Sequence, residues 1–262
     1  RGFSNWRQMK TLKLFFILII LGLGSFSFSQ SKKKADLLYS NRAYLDAAEI
    51  YNKLPKTAEI LEKLGDCYYF NSEVEKASQF YSEVFKLKNR DSISDAFYFK
   101  YFDALRGSKY YKLSDEISTV YLKDSLNTED FRLKLDKIIP YTYQMEALTN
   151  QTSGSNFGVG FYGDKIIFSS TQNPENPDYN WNKKPYLDLY EGQVTGDSLQ
   201  KKLDSVIPLA ASINSKKQHE SSAIFTKDGK TIYFSRNNKK RVDLDSNKVA
   251  VVRIYKAELV DN

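Results

Sequence analysis

Phe225-Thr-Lys-Asp-Gly-Lys-Thr-Ile-Tyr-Phe-Ser235 reads as a β-hairpin. Asp228-Gly229 is the dipeptide that tolerates the positive φ of a tight turn, and Ile224-Phe225 and Thr231-Ile-Tyr-Phe234 flank it as strands. A similar phrase occurs earlier, as Phe161-Tyr-Gly-Asp-Lys-Ile-Ile-Phe-Ser169. Downstream of each copy a third strand-like segment also matches, Asp188-Leu-Tyr-Glu191 in the first and Arg253-Ile-Tyr-Lys256 in the second. The offsets are 64 residues (Phe161 to Phe225), 66 (Phe168 to Phe234) and 65 (Tyr190 to Tyr255). Three offsets that agree within two residues argue for an internal repeat. Each unit is a hairpin, a long polar loop (Asn173–Pro185 and Asn237–Lys248) and a third strand.

That is the strand order of a β-propeller blade, and the long loops account for a period above the usual ~40–45 residues. Residues 157–262 are therefore expected to form a partial propeller of about two blades. A ring closes only with roughly four to eight blades, so the expectation is that this sequence is part of a longer reading frame.

Upstream, the character changes. Residues 149–156, Thr-Asn-Gln-Thr-Ser-Gly-Ser-Asn, are a polar linker and a domain boundary. Residues 30–148 carry apolar residues at helical spacing, with Pro55 the one proline between Lys34 and Ile139. Ala47, Ala48, Ile50, Tyr51 and Leu54 form one face. Leu61, Leu64, Cys67, Tyr68 and Val74 form the next, and Ala77, Phe80, Tyr81, Val84 and Phe85 a third. Asn71-Ser72 and Gly107-Ser108 break the pattern, Pro55 stops a helix, and Asp91-Ser92 and Ser94-Asp95 offer N-cap oxygens. Leu64-Gly65, Tyr68, Ala77, Tyr81 and Val84 stand at tetratricopeptide spacing. Gly65 and Ala77 are small where paired helices approach, and Tyr81 fills the space between repeats. Weaker copies hold Ala35, Ala47, Tyr51 and Leu54, then Phe102, Leu105, Ser114 and Tyr121, at offsets of 30 (Ala47 to Ala77) and 37 (Ala77 to Ser114). The fold class is thus multidomain, α then β: a tetratricopeptide-like helical array followed by the partial propeller. Such an array either holds a partner segment on its concave face or serves as a helical spacer.

The 262 residues, 41% hydrophobic and rich in aromatics (19 Tyr, 17 Phe), support packed cores in both parts. Formal charge is +7, but Arg1, Arg7, Lys10 and Lys13 lie in the first thirty residues, which have no acidic residue. Without them 35 basic residues face 32 acidic ones, and the clustered basic face needed for nucleic acid is absent. Residues 1–29 read as upstream residues followed by a signal peptide. Met9 opens it, Lys10 and Lys13 are the positive region, Leu14–Gly24 the apolar region, and Ser27 and Ser29 the small residues before cleavage after Ser29. The alternative, an uncleaved anchor, is disfavoured because a span needs about 20 apolar residues. Cys67 is the one cysteine and His219 the one histidine, so an intramolecular disulfide is excluded and a zinc site is not expected.

No residue set calls for catalysis or a cofactor. Gly158-Val-Gly160-Phe-Tyr-Gly163 spells G-x-G-x-x-G, but a strand follows where a dinucleotide site needs a helix. His219 and Glu220 are adjacent and point to opposite faces of a strand, so His219 is read as blade-structuring. Asp243-Leu-Asp245-Ser-Asn247 lacks the glycine and distal glutamate of an EF-hand loop and reads as solvated. The Lys32–Lys34 and Asn237–Arg241 runs read as solvated surface, and Cys67 as a small buried residue.

The order of parts resembles the N-terminal half of OmpA-family envelope proteins of Bacteroidetes-type bacteria. The resemblance rests on Asp46-Ala-Ala-Glu-Ile-Tyr51, Lys63-Leu-Gly-Asp66 with Tyr68-Tyr-Phe70, Phe157-Gly158 with Phe161-Tyr-Gly163, Pro185-Tyr-Leu-Asp-Leu-Tyr190, and His219-Glu-Ser-Ser222 with Phe225–Phe234. It implies a signal peptide, tetratricopeptide repeats and a WD-like (TolB-like) propeller, in a non-enzymatic periplasmic, outer-membrane-associated scaffold, some of its kind linked to gliding or type 9 secretion. Envelope proteins are the implied partners. Peptidoglycan would be bound only through a C-terminal domain that these residues do not include. The alternatives are the N-terminal part of a propeller-containing peptidase, which a downstream G-x-S-x-G domain would reveal, and a TolB-like periplasmic component.

Overall fold

The structure, a computed structural model, describes residues 29–260 except 90–91, 124–125, 140, 142, 150–152, 197–200, 241 and 245–246. The expected signal peptide therefore lies outside the described residues, apart from Ser29. Helices come first and antiparallel sheets follow, in two compact units.

The helical unit contains α1 (29–40), α2 (Tyr44–Tyr51), α3 (Ala58–Tyr69), α4 (Val74–Leu87), α5 (Asp95–Gly107), α6 (Tyr111–Leu122) and α7 (Thr128–Ile138). The starts are written locally. Thr57 accepts from the Ile60 N–H and Ser94 from the Phe97 N–H, each satisfying an orphan donor of the first turn. Pro55 stands in the connection between α2 and α3, four residues past the end of α2.

The three connections inside helix pairs are copies of one turn. Arg42, Ser72 and Lys109 all take left-handed φ, at 60°, 62° and 63°. In each, the next residue's N–H returns to a carbonyl five residues back: Ala43 to Leu38, Glu73 to Tyr68 and Tyr110 to Leu105. Their offsets, 30 and 37, equal those of Ala47, Ala77 and Ser114. The chain thus repeats a helical hairpin three times, and most of the seven extra residues of the second interval lengthen its first helix, α4, which has 14 residues against 8 in α2.

Two hydrophobic clusters fill the array, one around Tyr51, Ile60, Leu64 and Cys67, the other around Tyr81, Val84, Phe97 and Tyr101. By contrast Phe131, Leu133 and Ile138 of α7 are exposed. Three residues from farther along the chain, Asn180–Asn182, belong to this unit. Trp181 donates its indole N–H to the Phe70 carbonyl (2.9 Å) and stands edge-on to Tyr44.

The β unit begins at Tyr143, a few residues before the linker that composition suggests. The physical reason is that Thr149 already pairs with the sheet through Lys201 and Leu203. One sheet has the order β1 (Asn156–Tyr162), β2 (Lys165–Ser170), β3 (Asp188–Thr195), β4 (Lys202–Pro208). The other is β5 (Glu220–Phe225), β6 (Thr231–Asn237), then β9 (Val252–Glu258). The small β7–β8 hairpin (Val242–Leu244 and Asn247–Val249) occupies the loop before β9. Sequence reasoning missed β4 and this hairpin.

The two sheets repeat down to their irregularities. Phe168 pairs with Tyr190 and Phe234 with Tyr255; Gly160 pairs with Ile167 and Ile224 with Tyr233. The first strand of each is bulged at the same place, between Phe157 and Gly160 and between Ser221 and Ile224. Gly158 and Ser222, 64 apart, both adopt positive φ inside those bulges.

Candidate functional site

In the helical unit the repeat positions converge on carboxylates, of which Asp66 is buried and Asp36 and Asp103 half-buried. Gly65 on α3 lies against Tyr81 on α4 so closely that a Cβ there would stand 2.4 Å from the ring. Ala77, one turn before Tyr81, is fully buried, as are Leu64 and Tyr81. Tyr68 stacks on Phe80 at 5.5 Å. The pairs Ala35 with Ala47, Gly65 with Ala77 and Phe102 with Ser114 share a spacing of twelve. Ser114 donates its hydroxyl to the Phe102 carbonyl (2.8 Å).

The residue after each first member is an aspartate: Asp36, Asp66, Asp103. Asp66 accepts from Tyr81 of its own hairpin (2.7 Å), from Tyr39 of the preceding hairpin (2.6 Å) and from Lys100 of the following one. Asp36 accepts the same way from Tyr51 (2.6 Å) and Lys63 (2.6 Å), and Asp103 accepts from Tyr69 (2.8 Å). Tyrosine, aspartate and lysine therefore form a ladder that stitches each hairpin to the next. Hydrogen bonds to a charged group contribute about 1.5–3 kcal/mol each, so this ladder ties successive hairpins together.

Burial alone pushes the Asp36 carboxyl up, but Lys63, Tyr51 and Lys32 overcome it and hold the group at about 2. Tyr39, Tyr51 and Tyr81 are driven far above the ordinary phenol range, first by burial and then by their aspartates. They are fixed donors. Sequence reasoning missed the ladder, although the signal was present: its aspartates recur at offsets of 30 and 37, its tyrosines at 30 (Tyr39 to Tyr69, Tyr51 to Tyr81) and its lysines at 37 (Lys63 to Lys100).

Between α4, α5 and α6 an open groove of about 270 Å³ is lined by Ser78, Gln79, Ser82, Tyr101, Tyr110 and Leu113, among others.

In the β unit, the glycine run spans β1 and the β1–β2 turn, and a strand rather than a helix follows. Its glycines serve approach and turning. A Cβ on Gly160 would meet the Ala223 carbonyl at 2.7 Å, and Gly163 takes φ +60° in the β1–β2 turn. Asp228 accepts from the Thr226 hydroxyl (2.6 Å) and the Lys230 N–H (3.1 Å), and Gly229 takes φ +69° in the second turn. Phe168 and Phe234 are buried on equivalent faces and Phe225 stacks on Tyr162 at 4.1 Å, whereas Phe161 is exposed.

His219 and Glu220 are not brought together. His219 Nδ1 accepts the Leu187 N–H (3.2 Å), and its ring stacks on Tyr186 at 4.2 Å. Burial pushes its pKa down, so the imidazole is neutral. Glu220 is fully buried, accepts the Ser215 N–H and pairs with Arg236 (2.8 Å). Burial, the dominant influence, pushes its carboxyl up to about 7 against the pull of the Ser215 N–H and Arg236. Ser221 accepts from Ser169 across the sheets (3.0 Å). His219, Glu220 and Ser221 thus each engage a different partner, and all three join the first sheet or the β5 hairpin.

Cys67 is buried, which pushes its thiol up to about 12. Among the described residues no group of three or more His, Cys, Asp or Glu is placed to hold a metal, and no helix is long and apolar enough to cross a membrane. Asp245 and Ser246 of the solvated-loop candidate lie outside the described residues.

No protein-family model, curated protein or solved structure matches the chain.

Proposed function

We propose that this chain is the N-terminal part of an exported, non-catalytic envelope scaffold. Tetratricopeptide-type hairpins hold a segment of an envelope protein, and propeller-type blades present a second surface. The observation that carries this reading is the ladder through Asp36, Asp66 and Asp103. It links three successive helical hairpins, and stacked helical repeats make extended binding surfaces. The blade reading is supported by the matched registers and matched bulges of the two sheets. Export rests on the Lys10–Ser29 segment, and the OmpA-family, gliding or type 9 secretion association rests on the resemblance in part order.

The test is site-specific photo-crosslinking in cells carrying the full-length protein. A crosslinker replaces exposed Phe99 on α5, with exposed Lys86 on α4 as control. The expected result is a discrete adduct with an envelope protein from position 99 and none from position 86, in the envelope fraction. A protein found in the cytosol, or crosslinks of equal yield at both positions, overturns the reading.

A further inference from the structure

The matched registers make it possible to ask what each sheet does with its two faces. In the first sheet, Ile166, Phe168 and Tyr190 lie on one face and Ile167 and Leu189 on the other. Ile167 and Leu189 are 1% and 0% exposed because the second sheet covers them, with Ala223, Ile232 and Phe234. At offsets of 66 and 65, Ile232, Phe234 and Tyr255 in the second sheet are the equivalents of Ile166, Phe168 and Tyr190. They are the side chains that pack against the first sheet. The equivalents of Ile167 and Leu189 are Tyr233 and Ile254, and they are 41% and 81% exposed. Ile224, opposite Tyr233 on the same face, is 63% exposed. The second sheet thus repeats, position for position, the apolar surface with which the first sheet holds it, with Ile224 in the place of Gly160. The edge is equally open: β3 pairs with a fourth strand, β4, while its equivalent β9 pairs only with β6 among the described residues.

We propose that the Ile224–Tyr233–Ile254 face is a docking surface for one further sheet of this same repeat. Its occupant is a three- or four-stranded antiparallel sheet presenting alternate isoleucine and aromatic side chains, in the places of Ile232, Phe234 and Tyr255. The inference rests on the blade reading of the two sheets and continues the interface already formed between them. It also specifies a difference. Gly160 lets the Ala223 backbone approach the first sheet closely, and Ile224 stands at the equivalent position. The incoming first strand must therefore sit farther out, or be met by a smaller residue at 224. An exposed patch of large apolar side chains at the end of a stack is otherwise an aggregation liability.

The test extends the full chain by repeating residues 209–262 after Asn262 and places a reporter thiol by Ile254→Cys. Cys67 is buried and contributes little background. In the 262-residue chain the introduced thiol is expected to react with a maleimide at the rate of an exposed cysteine. In the extended chain it is expected to react at least tenfold more slowly, either directly or with Ile224→Gly, which restores the notch of the first sheet. A Val159→Cys reporter on β1 should react alike in both lengths. Equal rates at position 254 in both backgrounds overturn the proposal, and so does an added repeat that stays protease-sensitive in both. Protection at position 254 without any crosslink from position 99 sinks the scaffold reading alone. Crosslinking with no protection sinks this inference alone.

Discussion

Gly65→Ala is the substitution on which the helical packing stands or falls. Two effects oppose each other. Alanine is the better helix former by about 1 kcal/mol, so on an exposed face the change would stabilise α3. At Gly65 the added methyl would stand 2.4 Å and 2.6 Å from two ring carbons of Tyr81. Tyr81 cannot swing aside freely, because its ring is fully buried against Phe97 and its hydroxyl is held by Asp66 at 2.7 Å. Overpacking of this kind costs about 1–3 kcal/mol. Displacing the ring also weakens a hydrogen bond to a charged acceptor, itself about 1.5–3 kcal/mol. The helix gain is outweighed, and the expected net loss is about 2–4 kcal/mol. Urea unfolding followed by far-UV circular dichroism should show a lower midpoint at unchanged slope. Combined with Tyr81→Leu, which vacates the space, Gly65→Ala should cost at least 1 kcal/mol less than it does alone. A Gly65→Ala chain as stable as the parent, or additive costs in the double variant, would refute the close approach of α3 and α4.

Asp66→Asn leaves three donors, Tyr39, Tyr81 and Lys100, facing a neutral amide. A loss of about 3–5 kcal/mol is expected, as for a broken buried ion pair, against under 1 kcal/mol for Glu49→Gln, which breaks an exposed pair with Lys53 on the neighbouring hairpin, read by the same unfolding assay. The pH dependence of the two units should have opposite sign. Asp36 is held at about 2, below its ordinary value, so its stabilisation is full above pH 4 and is lost as pH falls through 2. Asp36→Asn should remove about 1–2 kcal/mol of that acid limb, allowing for partial exposure. Glu220 is raised to about 7, so its contribution is full below pH 4.5 and is lost as pH rises through 7. Glu220→Gln should flatten the slope between pH 5 and 8, measured by thermal unfolding of the β unit.

Much of this architecture was legible in the sequence because repetition makes a weak local signal count several times. The hairpin at Asp228-Gly229 is readable by itself, since only a few dipeptides accept its turn. The β1–β2 hairpin is weaker alone and becomes readable through its match at offset 64. The helical hairpins were legible at Gly65, Ala77 and Tyr81, where close packing restricts residue size. Strand β4, Lys202-Leu-Asp-Ser-Val-Ile-Pro208, breaks apolar–polar alternation at Asp204-Ser205 and Val206-Ile207, and its place comes from pairing with β3, a non-local term that its own residues do not announce. Two of the turns were marked by the breaks at Asn71-Ser72 and Gly107-Ser108, but the left-handed residue shared by Arg42, Ser72 and Lys109 was hidden for a related reason. None is the glycine that positive φ favours, and the conformation is imposed by the helices on either side.

The ladder and the sheet repeat make a common argument about how this chain distributes specificity. Asp36 and Asp66 each take donors from more than one hairpin and Asp103 takes one from the preceding hairpin, so a hairpin finds its full set of partners only in the correct order in the stack. In the β unit the ordering is done by faces: Ile167 and Leu189 are covered only when the next sheet offers its Ile232–Phe234 face. Both devices are directional, and a directional contact repeated at a fixed interval propagates until something caps it. At the C-terminal side of the helical array, Arg106 stands where Tyr39 and Tyr69 stand in the earlier hairpins, so the tyrosine rung is not repeated there. The second sheet has no such change at its open face. Tyr233 and Ile254 keep the apolar character of Ile167 and Leu189, which is why that face, rather than the end of the helical array, is where the pattern asks to be continued.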